Sequence, residues 1–176
     1  MKWITVFTDA SFDHITQAAG IAMWWRDSEM INRKSKAITF PVDNSGIAES
    51  IALGVGIPKA LEMSEPGDRL SIQSDNLDAL RLYTASRKHT AIENDFMKHV
   101  LQEVSCAGIT LHPKHVKGHM GNISPRHSVN TWCDKAAKRA MRKARAILSM
   151  PKISREDVLK EIRTKRGLYG ESGKCI

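Results

Sequence analysis

A run of six strand-forming residues, Trp3-Ile4-Thr5-Val6-Phe7-Thr8, ends in an acid, Asp9, where the segment ought to be buried. β-Branched and aromatic side chains suit a pleated surface, so residues 2–10 read as a strand. A carboxylate beside a core is costly unless a partner or a cation compensates it. Whatever this chain folds into must bring such a partner to Asp9. Beyond the polar stretch Ser11–Gln17, Ala18–Trp25 predicts a second strand, and Asp27-Ser28 suits a turn. Met30–Phe40 then alternates as a third, half-exposed strand. Short connections make these three an antiparallel meander.

The remaining segments alternate between helix and strand. Ser45 is placed to cap a helix whose apolar positions Ala48, Ile51, Ala52 and Val55 follow helical spacing towards Leu61, with Pro58 set to kink or split it. Pro66-Gly67-Asp68 is a turn, and Arg69–Asp75 a short strand ending in a second acid. Helices are predicted over Leu77–Tyr83 and Ile92–Val104, the latter stopped by Gly108, and a last strand over Ile109–Lys117 despite Pro113. A polar loop spans Gly118–Ser128, and a strongly basic helix runs from near Asn130 to Leu148. Ser154-Arg155-Glu156-Asp157 resembles a helix cap leading Val158, Leu159 and Ile162 into a short amphipathic helix. This order implies an α/β fold: a five-stranded mixed sheet, three antiparallel hairpin strands plus two further strands, flanked by helices on both faces. We divide the chain into a domain over residues 1–148 and a basic C-terminal extension over 149–176.

The formal net charge of +8 points to a polyanionic partner, nucleic acid first. No apolar stretch approaches the roughly 20 residues of a membrane span, and the N-terminal residues lack the pattern of a signal peptide. Three cysteines, Cys106, Cys133 and Cys175, without a C-x-x-C, favour reduced thiols in a cytoplasmic compartment.

Four acids stand at strand ends or on helix faces bordering apolar positions: Asp9, Glu49, Asp75 and Asp134. In α/β folds ligands collect at strand ends, so the four are candidates to converge. Converging carboxylates repel unless cations neutralise them, and an all-oxygen set suits hard ions such as Mg²⁺ or Mn²⁺. Two such ions form the clamp that serves phosphodiester cleavage. Taken singly, each acid also fits a plain role in water. Asp134 is the clearest case, since the predicted helix begins beside it and the helix dipole favours an acid there.

The stretches F-T-D-A-S (7–11), A-E-S-I-A-L (48–53), I-Q-S-D-N (72–76), V-K-G-H (116–119) and N-T-W-C-D-K-A-A (130–137) resemble, in order and close to the spacing, the successive motifs of the ribonuclease H type 1 family. The resemblance covers roughly residues 1–147. It implies that Asp9, Glu49, Asp75 and Asp134 are the metal-binding catalytic quartet holding two Mg²⁺ ions, with Mn²⁺ as the substitute. His119 is then the loop histidine that assists proton transfer and product departure, with His127 as its stand-in if the loop folds differently. The implied enzyme is an endonuclease that cuts the RNA strand of an RNA–DNA hybrid, leaving 5′-phosphate and 3′-hydroxyl ends, without reading base sequence. The alternatives are a junction resolvase-like DNA nuclease and a non-catalytic nucleic-acid-binding module of the same fold.

Candidate substrate contacts are Ser11, Asn44, Asn76, Lys117 and Asn130. Three departures from the family pattern stand out. Asn44 lies five residues before Glu49, out of the family's register. The loop over 120–129 looks longer than in bacterial members, and Thr84–Thr90 carries no Trp-rich basic protrusion. Grip on phosphates would then fall to the basic last helix and tail, whose charges equally suit a solvated face that keeps the protein soluble. The Trp24-Trp25 pair offers base stacking or, at strand spacing, core packing.

Overall fold

A computed structural model describes residues 1–83, 91–117 and 124–150. The elements are β1 (Trp3–Asp13), β2 (Ala18–Arg26), β3 (Ile31–Ala37), α1 (Ser45–Leu61), β4 (Arg69–Ser74), α2 (Leu77–Leu82), α3 (Ala91–Cys106), β5 (Thr110–His115) and α4 (Pro125–Leu148). They build one mixed sheet in the order β3-β2-β1-β4-β5. β1–β2 and β2–β3 pair antiparallel, β1–β4 and β4–β5 parallel. The predicted architecture is the observed one. Among the described residues no helix is long and apolar enough to cross a membrane.

Alternation along β1 assigns each side chain to a face. Ile4 and Val6 join Ile21, Met23, Leu53, Ile57, Leu70 and Ile72 in the larger core, under α1, α2 and α3. Burying each such side chain stabilises the fold by roughly 1.5–3 kcal/mol. Phe7 points the other way and packs with Ala22, Trp24, Cys133, Ala136 and Ala137 beneath α4. Small residues set the distance between α4 and the sheet. A Cβ on Gly20 of β2 would lie 2.5 Å from the Ala140 carbonyl carbon and 2.6 Å from the Ala137 oxygen, so only glycine lets the two backbones meet. Trp24 and Trp25 settle in opposite cores, 7% and 8% exposed, because both faces of the sheet are covered; neither is placed to stack on bases.

Several boundaries differ from the sequence reading. β1 continues to Asp13, whose carboxylate accepts from the Ile15 amide (3.2 Å) and the Thr16 hydroxyl (2.6 Å) and so closes a tight hairpin turn. Asn44, not Ser45, caps α1: its backbone is extended and its Oδ1 accepts from the Ile47 amide at 3.0 Å. α1 runs through Pro58 without a break: the proline removes the one bond its amide would have given the Gly54 carbonyl, and the helix ends three residues later at Leu61. Pro113 is tolerated because β5 is the sheet edge.

α4 begins at Pro125, several residues before the predicted start near Asn130. Ser124 caps it, accepting from the His127 amide, and Pro125 supplies a ready-made first helical φ. Much of the expected 120–129 loop is therefore helix. Residues 118–123 of the expected loop, the segment Thr84–Thr90 and the residues after 150, with the helix expected around Val158–Ile162, lie outside the described residues.

Candidate active site

Asp9 occupies the middle of β1 on the α4 face and is 5% exposed. Opposite it runs α1, whose buried row Ala48, Ala52, Gly56 and Ala60 presses on the sheet and brings Glu49 to the strand. Glu49 Oε1 accepts from the Ala10 amide at 3.1 Å, which fixes the carboxylate against β1. Asp75 follows the last residue of β4, the strand hydrogen-bonded beside β1. One carboxylate oxygen each from Asp9, Glu49 and Asp75 lies within 4.8 Å of the others. Asp134 faces the same cleft from α4, which is also lined by Ala10, Asn130 and Thr131.

Asp134 is the tenth residue of α4, and the first turn of that helix holds no acid. The helix dipole, which acts within the first turn, therefore does not explain it. Its carboxylate bonds Lys138 Nζ at 2.8–2.9 Å, one turn further along the same flank.

The electrostatics are those of crowded, poorly hydrated anions. Burial, then the charges of Asp75 and Asp134, push the Asp9 carboxyl up to about 7. Burial, then the charges of Asp9 and Asp75, push Glu49 up to about 9. Without a cation, the crowding is relieved by holding protons on the Asp9–Glu49 pair. Glu49 Oε2 is buried and meets no donor, and Asn130 Oδ1, on the α4 wall, is likewise buried without one. A cleft walled by acceptors that lack donors fits a hard, oxygen-seeking divalent cation. Asp9, Glu49 and Asp75 are the residues that would hold it, with Asp134 beside them.

The other candidates divide. Asn130 belongs to the cleft. Asn76 caps α2, accepting from the Ala79 amide at 2.9 Å, as Asn44 caps α1, so the oxygen of each is committed to structure. Ser11 lies beyond the cleft on β1, opposite Gly20, and Lys117 is exposed after β5. His119 lies outside the described residues. His127, its stand-in, sits in the first turn of α4 with its Nδ1 2.9 Å from the Ser124 hydroxyl. Two contributors escaped the sequence reading. The Ala10 amide has no side-chain signature at all. Thr131 stands three residues before Asp134, a spacing that becomes legible only once α4 is known to start at Pro125.

No protein-family model matches the sequence, and no curated protein matches it either. Solved structures do. The N-terminal RNase H domain of a Mycobacterium tuberculosis protein, solved as a fusion with maltose-binding protein, superposes with a TM-score of 0.62 at 14% identity, over 82% of this chain and 96% of that one. RNase H1 from the archaeon Halobacterium salinarum gives 0.61 at 13% identity, over 80% and 98%. LC11-RNase H1 from compost, solved in complex with an RNA/DNA hybrid, gives 0.62 at 14% identity, again over 80% and 98%. The chain has the ribonuclease H-like fold. Within that ribonuclease H-like fold, Asp9, Glu49, Asp75 and Asp134 share one cleft, although they come from a central strand, a strand end and helices on opposite faces of the sheet.

Proposed function

We propose that the protein is a divalent-metal-dependent endonuclease that hydrolyses the RNA strand of an RNA–DNA hybrid, leaving 5′-phosphate and 3′-hydroxyl ends. The observation that carries this reading is the convergence of three carboxylates within 4.8 Å beside a fourth. It gains weight from the fold, shared with an RNase H1 that was solved with such a hybrid. A protein without metal chemistry gains nothing from buried, mutually repelling acids.

When bound, Mg²⁺ or Mn²⁺ supplies the neutralising charge and the Lewis acidity that such a reaction needs. The chain's own residues provide the frame. Glu49, held by the Ala10 amide, and Asp9, fixed in the sheet, set the floor of the cleft. Asp134, steadied by Lys138, forms the α4 wall, where Asn130 offers its amide to substrate. In the reaction a water oxygen bonds to phosphorus, the P–O3′ bond breaks, water gives up a proton and O3′ gains one. His119 is the proposed carrier of that proton. Choice of substrate by 2′-hydroxyls and A-like shape leaves base sequence unread.

The test is a panel of labelled 24-bp duplexes, RNA–DNA, RNA–RNA and DNA–DNA, together with a four-way DNA junction, incubated in Mg²⁺. Cutting confined to the RNA of the hybrid is the expected result. Cutting of the junction would keep the metal centre and replace the substrate, and binding without cutting would leave a nucleic-acid-binding module.

A further inference from the structure

α4 carries seven cations, Arg126, Lys135, Lys138, Arg139, Arg142, Lys143 and Arg145, against one acid, Asp134. The structure sorts them by flank. On the cleft side Lys138 is paired with Asp134, and Arg145 with Asp13 at 2.8 Å. Lys135, Arg139, Arg142 and Lys143 are exposed and make no ion pair among the described residues. At about 100° per residue, Arg139 and Lys143 project on the flank opposite Asp134, with Lys135 and Arg142 on the outer surface. Beside them, Arg33 of the edge strand β3 lies over the Trp132 ring at 5.6 Å and carries positive charge from the helix onto the sheet.

This arrangement is unfavourable in the isolated protein. Lys135, Arg139 and Lys143 stand four apart, and like charges at that spacing each cost roughly 0.2–0.5 kcal/mol. A polyanion lying along the ridge would turn that repulsion into attraction. The guanidinium over Trp132 occupies an indole face that a base would otherwise use, which favours contact with phosphates over stacking.

We infer that Lys135, Arg139, Arg142 and Lys143, with Arg33, form a second nucleic-acid surface that holds the sugar–phosphate backbone of a duplex arm outside the carboxylate cleft. The inference rests on the proposed nuclease reading only in taking that duplex to be the hybrid.

The experiment measures anisotropy of a labelled 24-bp RNA–DNA hybrid in Mg²⁺, from 50 to 300 mM KCl, in an Asp9→Asn background that blocks cutting. A ridge triple, Lys135→Gln, Arg139→Gln and Lys143→Gln, is compared with a control triple of equal charge on the α1 side, Lys34→Gln, Lys59→Gln and Lys98→Gln. The ridge triple is expected to weaken binding by about tenfold near 0.1 M salt and to lower the log–log salt slope by about 2–3, at roughly 0.9 per phosphate. Its thermal midpoint should be unchanged or higher. Equal effects of the two triples, or no hybrid binding by any of the proteins, would overturn the inference. Parallel cleavage assays with Asp9 intact separate the two readings. Ridge-dependent binding without cutting would refute the nuclease and leave the ridge. Normal cutting with indistinguishable triples would refute the ridge alone.

Discussion

Asp9 and Glu49 hold their carboxylates where water cannot stabilise them and where their neighbours are also acids. The cost is useful only if a cation offsets it, and that gives a residue-scale prediction with two opposed readouts. Asp9→Asn is expected to reduce hybrid cleavage at least about a hundredfold, the scale of losing one preorganised electrostatic group. In EDTA at pH 8 the same substitution should raise the thermal midpoint by about 2–4 °C, since relieving about 1 kcal/mol of repulsion moves a domain of this size that far. Differential scanning fluorimetry reads the second effect. A stability loss alongside the activity loss would mean that Asp9 is structural. Asn44 illustrates how far a sequence can be read at this scale. Its type and place suit both a substrate contact and a helix cap, and the 3.0 Å bond from the Ile47 amide establishes the cap. Asn44→Ala is therefore expected to cost about 1 kcal/mol, with Asn44→Ser close to neutral, in urea unfolding without nucleic acid.

At the scale of elements, the site depends on how closely α4 lies on β2. Adding a methyl at Gly20 would drive it into the α4 backbone, so Gly20→Ala should destabilise the protein by about 1–3 kcal/mol and, by lifting Asp134, depress cleavage in the fraction that stays folded. An unchanged midpoint and full activity would show that α4 can move without consequence. The strand that carries Asp9 was legible in sequence because Trp3–Thr8 are β-branched or aromatic throughout, with few competing signals. The start of α4 was not. Ser124-Pro125 is a cap signal, but no Glu or Gln follows at the third helical position and no apolar run begins at once. Misplacing that start made Asp134 look like a first-turn acid and hid the role of Thr131. The partner that Asp9 demanded was thus readable as a set of acids, while their convergence depends on long-range strand pairing and helix docking that local pattern does not encode.

For the whole molecule, opposite shifts bracket the pH of greatest stability. Asp68 accepts from the amides of Lys2 (2.7 Å) and Glu65 (3.0 Å), tying β1 to the turn before β4, and these bonds hold its carboxyl below the usual range. Hydrogen bonds from the amides of Met30 and Glu29 hold Asp27 low, and the bond from the Thr16 hydroxyl holds Asp13 low. A lowered folded pKa contributes stability that is present above the unfolded value near 4 and lost as pH falls through the folded one. Asp9 and Glu49 act in the opposite sense. Raised to about 7 and about 9, they are protonated in the fold at pH values where the unfolded chain has ionised them, so stability falls as pH rises from about 4 through those values. The metal-free protein should be most stable in mildly acidic solution, and the gain from 5 mM Mg²⁺ should grow between pH 6 and 9. A pH-independent Mg²⁺ effect would argue against binding at these carboxylates. The chemistry of the cleft is read by one assay. An end-labelled RNA–DNA hybrid is incubated with the protein in Mg²⁺, in EDTA, and in Mg²⁺ with Asp75→Asn in place of the wild type. The expected result is RNA cleavage to 5′-phosphate and 3′-hydroxyl ends in the first reaction only. Undiminished cutting by Asp75→Asn, or in EDTA, would contradict the assignment of the cleft.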